Sequence, residues 1–356
     1  MKAILFRFAS VLISLVAVAL LSEVALRLFE SHDGIIRRFD HDLGWVPLEN
    51  VSQQGVHQNQ FGLRGPDDMQ LEKTPGRKRI LVLGDSYVWG LSASQDDIFT
   101  NPRVHGTSDE FINCGVCGYG TDQEYLFYLR TCRKFDVDQV VLVFTPDNDV
   151  TNNLASKQYS YLKPYFTLNK GELVLHNDHV RYSIIYRFNR ECRVWNVVRD
   201  GLEGLGHALR PKREQKYAGP NAVVSDADRP GIELTLALIK NLKEAVTARH
   251  AEFYVVFIPQ TSRIHKRMPD NHPFAALIAA GLTQMGVHYR EPYPEFLKSA
   301  VAGVELFHSP DGHFNAAGHA LFAKFLTDTD PNARRPITTL VDEIRARRRL
   351  EMLVAN

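Results

Sequence analysis

The sequence predicts an α/β fold, a three-layer α/β/α sandwich around a five-stranded, mainly parallel sheet. Two observations predict it. Five short strand patterns, Arg79 to Leu83, Glu110 to Asn113, Gln139 to Phe144, Phe253 to Ile258 and Val287 to Arg290, are interspersed with helical patterns at Asp122 to Arg133, Gly231 to Arg249 and Phe274 to Met285. Strands that alternate with helices form a parallel sheet covered on both faces. The first strand, Ile80-Leu-Val-Leu83, is a continuous apolar run, as a strand buried on both sides must be, and it leads directly into Gly84-Asp85-Ser86 and a helical pattern. At 356 residues, 44% of them hydrophobic, the chain is long enough for one sizeable domain of this kind plus an insertion. A formal net charge of +1 supplies no basic excess for a nucleic-acid partner.

A serine at the C-terminal end of a parallel strand presents its hydroxyl in the crevice where open α/β sheets bind ligands. Ser86 is therefore a candidate nucleophile, although Ser and Asp at this place also suit a helix N-cap. A neutral hydroxyl needs an adjacent base. The far end of the chain offers one in Ser309-Pro-Asp311-Gly-His313, where Pro310 and Gly312 impose an irregular loop before the helical pattern Ala320 to Leu326. In such a pairing His313 takes the proton and Asp311 orients the imidazole and stabilises its cation. Two donor signals lie between. Phe111-Ile-Asn113 runs into a Gly-rich turn containing Gly118, and Val140 to Phe144 leads to Asn148. The N–H of Gly118, the Asn148 carboxamide and the Ser86 N–H would form an oxyanion hole, with an Asx turn as the alternative role for Asn148. Asp85 reads as a brace for the turn and His319 as a surface or capping histidine packed on the final helix. Asp311, His313 and His319 are joined by no cysteine or further carboxylate at ligand spacing, so neither a metal nor a cofactor is expected.

These blocks resemble those of the bacterial GDSL-type, or SGNH, hydrolases, whose eponymous Ser, Gly, Asn and His map onto Ser86, Gly118, Asn148 and His313. Two blocks depart from the family pattern. Pro146 stands where a glycine usually precedes the Asn, and Asp311-x-His313 replaces Asp-x-x-His. The shorter spacing resembles the branch that contains periplasmic polysaccharide O-acetyltransferases. The resemblance covers roughly residues 40 to 326, including Asn59-x-x-Gly62-x-Arg64 and Lys163-Pro-Tyr-Phe, which recur in membrane-anchored members. It implies a flavodoxin-like sheet and a serine ester hydrolase acting on acylated carbohydrate through an acyl-enzyme on Ser86. The alternatives it leaves are an O-acetyltransferase and a catalytically silent carbohydrate-binding module.

The remaining segments frame this site. Lys2 and Arg7 accompany an apolar run from Phe8 to Leu21, followed by Glu23, Arg27 and Glu30. Residues 1–30 thus read as a membrane anchor or signal segment, with the leading positive charge kept in the cytoplasm and the rest of the chain outside. Ala17-Val-Ala19 is a candidate cleavage site, but apolar residues continue beyond it, which favours an uncleaved anchor. Residues 31–78 read as an irregular arm packing on the main domain, 79–330. Within that domain residues 151–230 form an insertion, with a hairpin signal around Asn169-Lys-Gly171 and then the aromatic and basic stretch Tyr182 to Arg199. Placed after Asn148, the insertion is expected to overhang the site, and Tyr159, Tyr161, Tyr165, Phe166, Tyr182, Tyr186, Phe188 and Trp195 would suit sugar rings or a small core of its own. Residues 331–356 read as a basic helix with Arg345, Arg347, Arg348 and Arg349, either solvated or in contact with an anionic surface. The four cysteines, Cys114, Cys117, Cys132 and Cys192, are too few for a disulfide scaffold. Cys114-Gly-Val-Cys117 could be a redox dithiol, a local disulfide or a pair of buried thiols.

Overall fold

The computed structural model describes residues 2–28, 36–53, 55–158, 161–184, 186, 192–198, 201, 224–269, 272–309 and 311–327. Tyr159, Phe188 and the basic helix expected within 331–356 lie outside the described residues. The central sheet has five strands, β1 (Arg79–Gly84), β2 (Glu110–Gly115), β3 (Gln139–Phe144), β4 (Glu252–Phe257) and β5 (His288–Arg290). Their spatial order is β5-β4-β3-β1-β2, and every neighbouring pair is parallel. Because β2 and β3 lie on opposite sides of β1, the order reverses between β1 and β3, which opens a crevice at their C-terminal ends.

Alternation along the strands feeds two cores. Leu81, Leu83, Val140, Leu142 and Val255 pack under α3 (Thr121–Arg130), α5 (Arg229–Thr247) and α6 (Pro273–Gln284). Ile80, Val82, Val141, Val143 and Val256 pack against Val88, Phe296 and Phe322, the last from α7 (Ala316–Thr327). Each such side chain contributes about 1.5–3 kcal/mol on full burial. β1 is buried at all six positions, which explains its unbroken apolar reading.

Two regions differ from the sequence expectation, and a third follows it. The arm is less irregular than its prolines and glycines suggest, because Arg37–Asp40 pairs with Gly44–Pro47 and Val51–Gln53 with Val56–Gln58. It is also part of the core: Trp45 is fully buried, packs edge-on against Tyr119 and donates its Nε1–H to Cys117 O at 3.0 Å. The helix expected to reach Arg133 stops at Arg130 and tightens into a 3₁₀ turn at Cys132–Lys134. There Cys132 forms a disulfide with Cys114, eighteen residues back. This pairing replaces the Cys114/Cys117 alternatives, since Cys114 ends β2 under α3 whereas Cys117 lies in the turn beyond it as a buried free thiol that burial pushes up. In the insertion, Tyr165–Asn169 and Glu172–His176 form the expected hairpin, with Lys170 and Gly171 at φ +51° and +86°. Phe166 packs it on Tyr125, Leu126, Leu234 and Leu238, along α3 and α5.

At the N-terminus a single helix, α1 (Lys2–Leu28), continues past the apolar run read from the sequence. Its stretch Ile4–Leu28 is long and apolar enough to cross a membrane.

Candidate active site

β1 ends at Gly84, where a Cβ would lie 2.4 Å from Val88 Cγ2 and 3.0 Å from Val143 O, so only glycine allows the turn to close this tightly on β3. Asp85 caps the one-turn helix α2 (Ser86–Trp89) by accepting the Tyr87 N–H at 2.9 Å. Ser86 is thereby the first helical residue, its hydroxyl at the crevice. The other end of α2 is tied by two buried side chains. Asn113 Nδ2 donates to Val88 O at 2.7 Å. Arg64 Nη1 donates to Trp89 O (3.0 Å) and Gly90 O (2.8 Å), and its Nη2 to Ala93 O (3.2 Å). Burial lowers the Arg64 guanidinium to about 10, and its cation also stands 5.1 Å from the Trp89 ring. The Asn59-x-x-Gly62-x-Arg64 stretch thus serves the serine helix from below.

His313 arrives on the loop before α7. Gly312, at φ +80°, turns the chain, and its carbonyl accepts from Tyr87 Oη (3.0 Å) and Thr261 Oγ1 (2.7 Å). The His313 ring lies against that of Tyr87 with centroids 4.8 Å apart. Ser86 Oγ is 2.7 Å from His313 Nε2. In a neutral imidazole that accepts the hydroxyl proton at Nε2, the ring proton sits on Nδ1. Nδ1 is buried without a hydrogen-bond partner, and the Asp311 carboxylate is 3.7 Å away. Instead Asp311 accepts the His313 backbone N–H at 2.9 Å and the Ser92 hydroxyl. Against the upward push of burial, these two bonds and the nearby imidazole hold the Asp311 carboxyl below its usual range.

Asn148 lies on α4 (Pro146–Asn153), with Pro146 at its first turn. Its Nδ2 donates to Asp85 Oδ2 at 3.0 Å, and its Oδ1 accepts from Asn152 Nδ2 at 2.9 Å, so the amide face turned toward the serine helix is the donor. Gly118, at φ +82°, occupies the turn from β2 to α3, and that turn is pinned to β1 by Val116 N–H to Gly84 O at 3.0 Å. The structure therefore joins Ser86 to His313 directly and Asn148 to the serine turn through Asp85. It brings the Gly118 turn to the same strand end and holds Asp311 beside His313 without a bond to its ring.

Behind the site lies a buried charged layer that sequence reasoning missed. Lys163 Nζ, fully buried, donates to Asp122 Oδ2 and to Asn152 O at 2.8 Å. Burial pushes the Asp122 carboxyl up and the Lys163 ammonium down, each opposed by the other's charge. Glu124 and Asp149 are also buried, and burial followed by neighbouring carboxylates drives both well above their usual range. The signal for this layer was present in Lys163-Pro-Tyr-Phe, a lysine embedded among core-type residues. A small cleft opens beside Pro146, between Phe257 to Gln260 and Tyr293.

His319 is buried, not a surface residue, and it caps no helix: its Nδ1 accepts the N–H of Phe99 in a turn at 3.3 Å, and burial lowers it to about 3, so the ring is neutral. Among the described residues, the grouping with metal-ligand spacing is Asp40-His41-Asp42. Arg130 and Arg181 already engage its two carboxylates.

No protein-family profile matches the chain, and no curated protein matches it. Among solved structures the chain is similar to a member of the lipolytic protein G-D-S-L family from Veillonella parvula, at 9% identity over 71% of this chain and 99% of that one, with a TM-score of 0.37. It is also similar to a GDSL-like lipase from Bacteroides thetaiotaomicron, at 11% identity over 73% and 91% of the two chains, TM-score 0.38. A third is the psychrotrophic esterase EstA from Pseudoalteromonas, at 12% identity over 70% and 94%, TM-score 0.35. The functional reading rests on the geometry of the site itself.

Proposed function

We propose that the chain is a serine ester hydrolase that forms an acyl-enzyme on Ser86, outside the cytoplasm and tethered by α1. The contact that carries the reading is Ser86 Oγ to His313 Nε2 at 2.7 Å. His313 removes the hydroxyl proton as Ser86 attacks the ester carbonyl, then returns it to the leaving alkoxide. Asn148, its donor face fixed by Asp85 and Asn152, supplies one hydrogen bond to the tetrahedral oxyanion, and the Ser86 and Gly118 N–H groups are the other proposed donors. The Asp311 carboxylate is close enough to stabilise the imidazolium that forms.

Placement outside the cytoplasm is supported by two independent features, the length and apolarity of Ile4–Leu28 behind Lys2 and the Cys114–Cys132 disulfide, since such bonds persist in oxidising compartments. Acylated carbohydrate is the substrate class implied by the resemblance of the Asp311-x-His313 spacing to the polysaccharide O-acetyltransferase branch. The aromatic residues of the insertion lend that class less support than their number suggests. Phe166 is spent on α3 and α5, Tyr186 is buried with its hydroxyl 2.6 Å from Leu162 N, and Tyr161 packs on Trp45 under the Arg37 guanidinium.

The test is labelling of the full-length protein with an ester-mimicking phosphonate, alongside turnover of aryl acetates and acetylated sugars. Wild type should label with one equivalent and hydrolyse both substrates, and Ser86→Ala should fold, resist labelling and fall to background. A Ser86→Ala protein that keeps more than a few per cent of turnover would remove the nucleophile from the scheme.

A further inference from the structure

We infer that the short helix formed by residues 193–198 docks on the lipid surface beside α1 and holds the body of the protein against the membrane. The inference rests on the reading of α1 as a membrane anchor. The Glu23 carboxylate of α1 accepts the Val194 N–H at 3.0 Å and the Cys192 thiol at 3.6 Å, so the short helix is fastened to α1 at a defined height. Glu23 also pairs with Arg27 at 2.8 Å, and these two charges mark where the chain leaves hydrocarbon. Leu21, the last residue of the apolar run, lies two positions earlier, about 3 Å along the helix axis. Residues 193–198 therefore sit at the level of the headgroups.

What they expose there is apolar. Trp195 is 40% exposed, Val197 59% and Val198 47%, and the same excursion of the chain exposes Tyr182 and Ile184. In water these positions are unfavourable, whereas at a membrane interface an amphipathic indole beside valines is the preferred composition. The surrounding sequence, 182–199, holds four arginines and one glutamate, which suits anionic lipid. A lipid surface is already present beside this face whenever α1 spans the membrane, whereas a protein partner would have to be recruited to it. Docking through both α1 and this helix gives the body a fixed orientation on the bilayer.

Trp195 supplies its own probe. The chain has three tryptophans, and the other two, Trp45 and Trp89, are buried. Full-length protein is reconstituted into phosphatidylglycerol-containing vesicles, first checked for resistance to carbonate extraction and then compared in vesicles with and without bromine on the upper acyl chain. Wild type should lose emission in the brominated vesicles, and Trp195→Phe should lose none. Retention in the membrane with equal emission in both vesicles would overturn the docking while leaving the anchor intact, and would be the result if a second copy or another protein covered this face. Equal quenching in Trp195→Phe would also overturn it. Extraction by carbonate would instead remove the anchor, and the docking with it.

Discussion

Ser86 Oγ lies 2.7 Å from His313 Nε2, although 227 positions of sequence separate the two residues. Their meeting is held from both sides. Asp85, Asn113 and Arg64 fasten the helix that begins at Ser86, and Tyr87, one residue on, grips the Gly312 carbonyl next to His313. The helix that begins at Ser86 thus positions His313, a rigid support of the kind that the proposed nucleophile and base need if they are to stay within a fraction of an ångström of productive geometry.

The two histidines of this region should separate cleanly. His313→Ala should reduce phosphonate labelling and ester turnover to background without lowering the melting temperature. His319→Ala leaves the Phe99 N–H unpaired in the core and should cost about 1–3 kcal/mol of stability while the folded fraction keeps its kcat. A stable but inactive His319→Ala protein would mean that the wrong histidine has been named as base.

Asn148→Ala removes a donor whose amide is oriented by Asp85 and Asn152. Loss of one oxyanion donor costs ~10²- to 10³-fold in kcat with little change in KM. Asn152→Ala should produce a smaller fall in kcat, because it frees the Asn148 amide without deleting it. If Asn148→Ala turns over at the wild-type rate, its role is confined to bracing Asp85.

Asp311 is bonded to the His313 backbone and to Ser92, not to the imidazole. Asp311→Asn keeps an acceptor for the backbone N–H and removes the charge. When Ser86 attacks, the partly buried imidazolium would then face a neutral group, and kcat should fall by ~10²-fold or more, toward the ~10⁴ seen where the acid bonds the ring nitrogen. A change of only a few-fold in kcat, with the melting temperature lowered, would make Asp311 a brace of the loop alone.

Elements that announce themselves by pattern were legible in the chain. β1 and β3 are unbroken apolar runs, and Ser86 and His313 follow from the residues that flank them. What escaped is what only tertiary pairing creates. Arg64, Asp122, Glu124, Asp149 and Lys163 are charged, and a charged residue reads as surface unless its partner is known. The Lys163 to Asp122 pair joins residues 41 apart, and Arg64 reaches carbonyls 25 or more positions away. Disulfide connectivity is equally silent in sequence: Cys117 is near Cys114 along the chain, but the fold sends Cys114 toward Cys132 under α3.

That pairing has a direct consequence for thiol chemistry. Titration of the denatured, unreduced protein should find two free thiols, Cys117 and Cys192, of the four cysteines. In the native protein Cys117 should stay unreactive, because burial drives its thiol far up and no thiolate forms near neutral pH. Replacing both Cys114 and Cys132 by serine should lower stability by about 3 kcal/mol, the entropy of an open loop of this size, without abolishing turnover. Four reactive thiols in protein taken from the exported fraction would contradict both the bond and the oxidising compartment inferred from it.

The arm should report its docking through acid stability. Arg130 grips Asp40 with two bonds of 2.7 Å, and Asp40 Oδ1 also accepts the Asp42 and Leu43 N–H groups at 2.9 Å each. Burial pushes the Asp40 carboxyl up, but the Arg130 bonds and the two N–H groups outweigh it and hold it below the ordinary 3.8. A carboxyl depressed in the folded state stabilises the fold at every pH above its unfolded value, and that contribution disappears as the pH falls through the folded value, here below about pH 4. Asp40→Asn should therefore melt earlier at neutral pH, by about 1–3 kcal/mol and toward the lower figure because Arg130 is partly solvated. Between about pH 4 and 2 its melting temperature should converge on that of wild type, whose own contribution from the pair is being lost. Melting curves followed from pH 7 to pH 2 decide the point, and two profiles that stay parallel throughout would show that the Asp40 to Arg130 pair is not what fastens the arm to α3.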